Sequence, residues 1–437
     1  MSVKAGDSQA VVVDIHGLSS EGAGVGRLPD GRAVFVHRTA PGEKARIRVT
    51  EEKKRWARGR LLEILEEAPE RREAPCPHYD RCGGCTLEHL EYEAQLRWKG
   101  QIISDALQRI GGLDAPVPDV VPSPKRIRYR SRVTLTLKRI GDSRVVAGFH
   151  ELERPGRILD LGGECLLLEP EIARVWDRLR ASWGPGARAL PAGRELRLTL
   201  RSLAEGVLLV VEGGKGRGDI EALVEQVEGL VAVWRVDEAG SRRVVGPEML
   251  TEEFLGEGVE IRGAAFLQVN REAGEALQRR LLERIGDPAG LQIVEAYCGV
   301  GIVGRHLARK GARVTGIEMD AEAVRGARAG APDGQTIVEG RVEERLAELL
   351  PADLVLLNPP RTGLHDDIPQ ILGKDPPTRV VYVSCDPATL ARDLDRLSCS
   401  HELRGLEAFD LFPQTAHVEV VADLGRKASP TTSLEEG

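Results

Sequence analysis

The sequence predicts an α/β chain in three folded parts: a small closed β-barrel over residues 1–67, a mostly antiparallel central domain over 68–265, and a doubly wound parallel sheet over 266–425, with a disordered polar tail at 426–437. Three observations carry this reading. Five short, turn-separated strands crowd the first seventy residues. Three cysteines fall within ten residues just after them. From about residue 266, apolar runs alternate with helical patterns, the sequence signature of a parallel sheet covered by helices.

The barrel strands are Ala10–His16, a glycine-rich stretch Gly22–Gly26, Ala33–Val36, Lys44–Thr50 and Ala57–Leu65, punctuated by Pro29-Asp30-Gly31 and Pro41-Gly42. Five strands in so short a span remove their edges by closing on themselves. Such barrels commonly bind single-stranded or irregular nucleic acid on one face. Phe35 and Trp56 suit that use, although each taken alone reads as core.

After a Pro- and charge-rich linker, Pro69–Pro75, comes Cys76-Pro-His-Tyr-Asp-Arg-Cys82-Gly-Gly-Cys85, with Cys165 a candidate fourth ligand. Four thiolates hold either a tetrahedral zinc or an iron–sulfur cluster, and the spacing alone leaves both open. A disulfide is disfavoured in a reducing compartment. A helical pattern from Glu91 to Ile110 ends at Gly111-Gly112. Residues 129–265 read as mostly antiparallel strands with one helix near 170–182.

Composition bounds the class. Of 437 residues, 41% are hydrophobic and 30% charged, which is the profile of folded domains and excludes a disordered chain. No apolar run approaches the roughly 18 residues of a membrane span. The segment Met1–Ala10 lacks an apolar signal core, so a cytoplasmic protein is expected. Nothing in the sequence argues for an oligomer, and a monomer is the default expectation.

The net charge of −7 hides local bias. Eight Lys/Arg stand against two acids between Lys44 and Arg60, and seven against none between Lys125 and Arg139. Clustered cations are the footprint of a phosphate backbone, although either cluster alone is equally a solvated strand face.

In the last domain a buried strand runs through Glu295-Ala296-Tyr297 into Cys298-Gly299-Val300-Gly301-Ile302-Val303-Gly304 and a helix at His306–Lys310. A second strand ends at Glu318. Glycines let backbone approach a ligand, a helix N-terminus favours its anionic group, and an acid at a strand end accepts from ribose hydroxyls. The pattern fits a dinucleotide or S-adenosylmethionine, and the downstream blocks decide between them. An apolar strand ends in Asn358-Pro359-Pro360-Arg361. Another delivers Ser384-Cys385-Asp386-Pro387, followed by a helix start over Pro387–Asp393. Phe412-Pro413-Gln414-Thr415-Ala416-His417-Val418-Glu419 sets a carboxylate before a last strand, Val418–Ala422.

These groups form the minimum set for methylating carbon 5 of uracil. That carbon is a poor nucleophile until a thiolate adds to C6, and a base must later remove the C5 proton so that the thiol leaves. Cys385 supplies the thiol and Glu419 the carboxylate. A free thiol is mostly protonated at neutral pH, so Cys385 calls for a local positive field or a helix N-terminus. The target base must be unpaired or flipped from its stack. Cys298 and Cys399 read as structural.

With these residues assembled, the chain resembles the RNA uracil-5 methyltransferases, the family of bacterial 23S ribosomal RNA and transfer RNA 5-methyluridine enzymes. The N-terminal barrel is similar to a TRAM domain, an RNA-binding module. The resemblance implies a Rossmann-like S-adenosylmethionine domain and a [4Fe–4S] cluster on Cys76, Cys82, Cys85 and Cys165, with zinc the alternative. It implies that Gln268, within Phe266-Leu-Gln268-Val-Asn270, contacts S-adenosylmethionine, and that Tyr297 and Glu318 line the pocket beside Gly299 and Gly301. Asn358 stands where the family has aspartate, Gln414 where histidine is usual, and Leu166 where proline is common. Cys385 is implied to be the nucleophile and Glu419 the base, acting on structured RNA, with ribosomal RNA favoured over transfer RNA.

Other readings explain less. A DNA cytosine-5 enzyme pairs its nucleophile with a preceding proline, where Ser384 stands here. An amino-group methyltransferase follows Asn-Pro-Pro with an aromatic, where Arg361 stands. An NAD oxidoreductase leaves the cysteine and glutamate blocks without a role. A non-catalytic RNA-binding protein retaining the fold is the alternative of another class.

Overall fold

The computed structural model describes residues 10–141, 143–238, 240–262 and 268–428. The chain divides into two compact units. One is drawn from Met1–Ile102, Val120–Ala276 and Asp410–His417, the other from Ile103–Asp119, Leu277–Phe409 and Val418–Gly437. The tail expected beyond Arg426 lies outside the described residues from 429 onward, as do Phe266 and Leu267.

In the first unit, β1 (Ala10–Leu18), β2 (Gly24–Arg27), β3 (Ala33–Val36), β4 (Lys44–Glu52) and β5 (Trp56–Glu66) close into a barrel in the order β1-β2-β3-β5-β4. Closure follows from β1 pairing with both β2 and β4, so no strand edge is left to template another chain. The barrel core is Val13, Ile15, Leu28, Val34, Val36, Ala45, Ile47 and Ala57. Strand alternation therefore turns Phe35, Trp56 and Arg58 to the outer face, and the two aromatics are not core.

The same unit contains a six-stranded sheet whose core includes Trp176 and Trp183 from and just beyond helix Pro170–Ser182. It is not antiparallel throughout. Strand Gly206–Glu212 runs parallel to Leu230–Asp237, and a second helix, Ile220–Gln226, makes the crossover that a parallel pair requires. The helix expected from Glu91 spans Tyr92–Arg109.

The second basic run is only partly a surface feature. Arg139 donates to the carbonyls of Gly186 (2.7 Å) and Ala187 (2.9 Å). Arg126 stacks over Tyr92 at 4.1 Å, and Arg130 is buried beside Cys85 and Cys165. Arg139 and Arg130 thus serve carbonyls and thiols inside the fold, whereas the Arg126 side chain is exposed and pairs with Glu93.

Lys99, on helix Tyr92–Arg109, is fully buried. Its Nζ meets Asp410 Oδ1 at 2.5 Å and Phe412 O at 3.1 Å, while the Tyr92 hydroxyl donates to Asp410 Oδ2 at 2.9 Å. Removing one partner of a buried pair leaves the other charge uncompensated. Lys99→Ala is expected to cost about 3–5 kcal/mol in urea unfolding. A loss under about 1 kcal/mol would show that Asp410 finds water or another donor instead.

The second unit is the doubly wound part. Strands Gln335–Glu339, Arg313–Glu318, Gln292–Ala296, Leu354–Leu357 and Arg379–Ser384 lie side by side in that order, all parallel. Strand Glu419–Arg426 then pairs antiparallel with Arg379–Ser384, and His401–Phe409 pairs with it in turn. The continuous apolar runs of the inner strands are explained by helices packing on a sheet buried on both faces. No helix among the described residues is long and apolar enough to cross a membrane.

Candidate active site

The parallel register brings the chemistry to one sheet edge. Ala296 is level with both Ile317 and Leu357, and Leu357 with Tyr382. The next residues along these strands, Tyr297, Glu318 and Asn358, therefore stand together at the carboxyl edge, where such sheets receive ligands. In the antiparallel pair, Ser384 is level with Val420. One step further, Cys385 stands opposite Glu419. Directly opposed residues in an antiparallel pair share a face at contact distance.

A cavity of about 430 Å³ opens at this edge, lined by Tyr297, Glu318, Met319, Arg341, Pro360 and His365 among others. Glu318 is the hub of its glycine side. Its Oε2 accepts from Gly299 N at 2.9 Å, and its Oε1 from Met319 N and Asp320 N, both at 2.8 Å. A carboxylate offers about four acceptor positions, so room remains for one hydroxyl donor. Gly299 and Gly301 adopt φ of 56° and 71°, a region that costs glycine nothing. Tyr297 has φ 60°, a left-handed backbone that a bulky residue rarely adopts and that clusters at ligand sites. Helix Ile302–Arg309 begins four residues earlier than the sequence pattern suggests, because Gly301 serves as its N-cap in that left-handed geometry.

Two buried polar groups not singled out from sequence hold the glycine loop. Glu295 Oε2 accepts from Gly304 N at 2.9 Å, and Gln335 Nε2 donates to Gly301 O at 2.9 Å. Burial pushes the Glu295 carboxyl up to about 8 against the single backbone donor that opposes it. Its neutral form is therefore favoured by folding. The stability it contributes is complete below about pH 4.5 and is lost as pH rises through about 8. Glu295→Gln is expected to match the wild type at pH 5 and to melt at least about 2 °C higher at pH 9. Parallel melting curves at both pH values would show that Glu295 titrates normally.

At Cys385 the outcome differs from the sequence expectation of a helix-activated thiol. The helix is there, Pro387–Leu397, but its N-cap Asp386 takes the free N–H groups of Ala388 (2.9 Å) and Thr389 (3.0 Å). Burial, with Glu419 and Asp386 nearby, pushes the thiol up to about 11. Arg361 is the opposing group: it hydrogen-bonds the thiol and lowers its pKa. Glu419 is buried, which pushes its carboxyl up to about 8 against the pull of the same Arg361. Arg361 is thus the cation common to both groups. From sequence Arg361 served only to set aside amino-group chemistry, and its place beside the thiol was missed, although it is the only cation in the Asn358–Arg361 block.

The loop carrying Arg361 is pinned from below. Asp393 Oδ2 accepts from Leu364 N at 2.8 Å and from the Tyr382 hydroxyl at 2.9 Å, and Arg392 donates to Thr362 O at 2.8 Å. Asn358 is exposed at its strand end. Cys298 is buried against Val324, Ala327 and Ile337, and Cys399 is exposed away from these groups. Gln268 belongs to the first unit, packed against Gly274.

Also in the first unit, the four predicted ligand cysteines share one neighbourhood. Cys76, Cys85 and Cys165 pack in a cluster with Tyr79, Tyr129 and Leu167, and Cys82 interacts electrostatically with the other three. Backbone N–H groups point at three of the sulfurs: His78 to Cys76, Gly84 to Cys82 at 3.3 Å, and Leu167 to Cys165. Arg38 donates to the carbonyls of Cys85 (2.8 Å) and Cys82 (2.7 Å), fixing the loop. A Cβ on Gly84 would lie 3.4 Å from the Cys82 sulfur, so the glycine makes the cradle. Burial raises the pKa of all four thiols, most strongly at Cys85. Among the described residues no three His, Cys, Asp or Glu side chains are arranged to grip a single metal ion.

A glycine loop held by buried carboxylates above a parallel sheet, with the acid of the second strand free to take one hydroxyl, defines a nucleoside-cofactor edge that suits S-adenosylmethionine or a dinucleotide. Comparison with known proteins narrows this. Residues 8–62 match the TRAM domain, and residues 340–427 match the tRNA (Uracil-5-)-methyltransferase family. An RNA methyltransferase of Halalkalibacterium halodurans is 31% identical over 96% of this chain and 98% of its own length. One from Gloeobacter violaceus is 33% identical over 96% and 97%. The crystal structure of Pyrococcus abyssi tRNA (uracil-54, C5)-methyltransferase in complex with S-adenosyl-L-homocysteine superposes with a TM-score of 0.74 at 27% identity, covering 96% of this chain and all of that one. The chain belongs to the RNA uracil-5 methyltransferase family and is an S-adenosylmethionine-dependent enzyme acting on RNA.

Proposed function

We propose that the chain methylates C5 of one uridine in 23S ribosomal RNA through a covalent bond between Cys385 and C6 of the base. The observation that carries the covalent step is the cross-strand opposition of Cys385 and Glu419 at the sheet edge, with Arg361 acting on both. S-adenosylmethionine, held by Tyr297, Glu318 and the Gly299–Gly301 loop, supplies the methyl group. The thiol proton of Cys385 passes to ionised Glu419 as sulfur bonds to C6, and C5 becomes the nucleophile. Once C5 carries the methyl group, Glu419 releases its proton to solvent and takes the C5 proton. The C6–S bond then breaks and the thiolate returns. One proton is released per turnover, which balances the loss of the donor's positive charge. Arg361 favours the thiolate and lies beside the carboxylate throughout.

Two finer assignments belong to the same reading. The thiols of Cys76, Cys82, Cys85 and Cys165 hold a [4Fe–4S] cluster, with zinc as the alternative. The three N–H···S contacts and the buried Arg130 suit a centre that carries negative charge with its thiolates. Its role is to clamp the loop, since the transfer needs no electron. Transfer RNA is the second substrate reading, favoured by the Pyrococcus abyssi neighbour. Methylation of unmodified total RNA followed by nucleoside analysis and mapping separates these. Label in 23S ribosomal RNA supports the first reading, label in transfer RNA the second, and no 5-methyluridine in either overturns both. Iron and acid-labile sulfide analysis of anaerobically purified protein distinguishes cluster from zinc.

A further inference from the structure

A cavity of about 540 Å³ opens on the outside of the barrel, lined by Phe35, His37, Trp56, Arg58, Leu152 and Pro155 among others. Its volume falls within the roughly 300–1,000 Å³ of small-ligand clefts. Its floor follows from strand alternation. Val34, Val36 and Ala57 point into the barrel, so Phe35, Trp56 and Arg58 form one outward patch, with Phe35 level with Arg58 across the β3–β5 pair. The two rings meet edge to face, centroids 6.1 Å apart at 72°, which leaves a ring face available. The Arg58 guanidinium lies 5.5 Å from the Trp56 ring centre. Leu152, from the turn after strand His150–Glu151, and Pro155, on strand Arg154–Ile158, form the opposing wall.

The charges around this cleft discriminate between ligand classes. Glu21, Glu51 and Glu153 all line it. Glu51 pairs with Lys53 at 3.1 Å, and Glu153 pairs with Arg60. Three carboxylates against the two guanidiniums of Arg58 and Arg60 leave the lining net negative, which disfavours a phosphate in the interior, and carboxylates accept from the amino and imino groups of bases. Further cations stand just outside, on the exposed turn Lys53-Lys54-Arg55. Aromatic faces within and cations at the rim are the two components of single-strand binding.

We propose that this cleft receives one unpaired, amino-bearing nucleobase of the RNA substrate, stacked on Trp56, at a position separate from the methylated uridine. The inference rests on RNA being the substrate, not on the covalent reaction scheme above. Stacking and phosphate contacts differ in salt dependence, because only phosphate contacts release counterions. The test is equilibrium binding of adenine, cytosine, guanine and uracil hexaribonucleotides to the full chain across a salt series. Trp56→Ala is expected to weaken the amino-bearing hexamers by about tenfold, as removal of one stacked base does, with the salt slope kept. Trp56→Phe should keep most of the affinity. Lys54→Ala with Arg55→Ala should instead reduce the slope by roughly 0.7 for each phosphate no longer neutralised. A circular dichroism spectrum and melting curve matching the wild type keep Trp56→Ala interpretable, and Arg58→Ala, which leaves the aromatics in place, is the second probe. Unchanged affinity in both variants, or a Trp56→Ala effect seen only as a lower slope, overturns the inference. No methyl donor is present, so failure of the reaction scheme leaves this result standing, and an active enzyme indifferent to Trp56 removes only this site.

Discussion

Cys385→Ala is expected to reduce 5-methyluridine formation by about 10⁴-fold or more, a transition-state loss of roughly 5 kcal/mol, while leaving RNA binding near the wild-type level. The size follows from what the thiol does. In the proposed scheme carbon 5 has no electron pair to offer without a bond to C6, and among the described residues no other cysteine is level with Glu419. Cys385→Ser should be nearly as inactive, because a hydroxyl ionises far less readily than a thiol that is itself pushed up to about 11. The decisive readout is chemical. RNA containing 5-fluorouridine should form a denaturation-stable adduct with the wild type, since fluorine at C5 blocks the final elimination, and none with Cys385→Ala. Cys399→Ala, at an exposed position, is the matched control and should behave as wild type. If Cys385→Ala still forms the adduct, another nucleophile carries the reaction, and the opposition of Cys385 and Glu419 loses its meaning.

The sequence made some of this site legible and hid the rest for identifiable reasons. Strand-end positions were readable because buried parallel strands are continuous apolar runs, such as Leu354–Leu357, and whatever follows them is delivered to the sheet edge. Asn358, Cys385 and Tyr297 were found in that way. The barrel was readable because its turns carry their own chemistry, as at Gly31 with φ 86°. Side-chain electrostatics were not. That Arg361 acts on both Cys385 and Glu419 depends on a loop pinned by Asp393 and Tyr382, residues some thirty and twenty positions away in the chain. The support that Glu295 and Gln335 give the glycine loop also appears only after folding, when both become buried and need partners. The helix after Cys385 illustrates a limit of pattern reading. A helix start beside a cysteine suggests a lowered thiol pKa, but the capping side chain at Asp386 occupies the N–H groups that would have lowered it. Phe35 and Trp56 read as core because aromatic residues usually are. The interior of a five-stranded barrel is filled here by small and branched side chains, and the rings are left outside.

Glu419→Gln separates the two halves of the proposed reaction. Glu419 has its carboxyl pushed up to about 8 by burial, so most molecules near pH 7 hold it protonated, and the ionised fraction grows tenfold per pH unit below that value. Because the carboxyl and the Cys385 thiol interact, the first proton lost near pH 8 belongs to the pair. The kcat/KM profile of the wild type should therefore rise with unit slope and level off above about 8, reporting the free enzyme. Glutamine preserves the shape of the side chain but cannot take the C5 proton. Turnover should fall by about 10²–10⁴-fold, the range for loss of a positioned base. Methyl transfer in a single turnover should survive at high pH, where Cys385 ionises without help. The methylated base then cannot be released, so a denaturation-stable protein–RNA complex should accumulate with ordinary, unfluorinated substrate. If turnover falls but no complex accumulates, and single-turnover transfer is lost as well, Glu419 acts at or before C–S bond formation. If the rate and its pH limb both persist, the C5 proton leaves by another route, and the opposition of Cys385 and Glu419 serves packing rather than elimination.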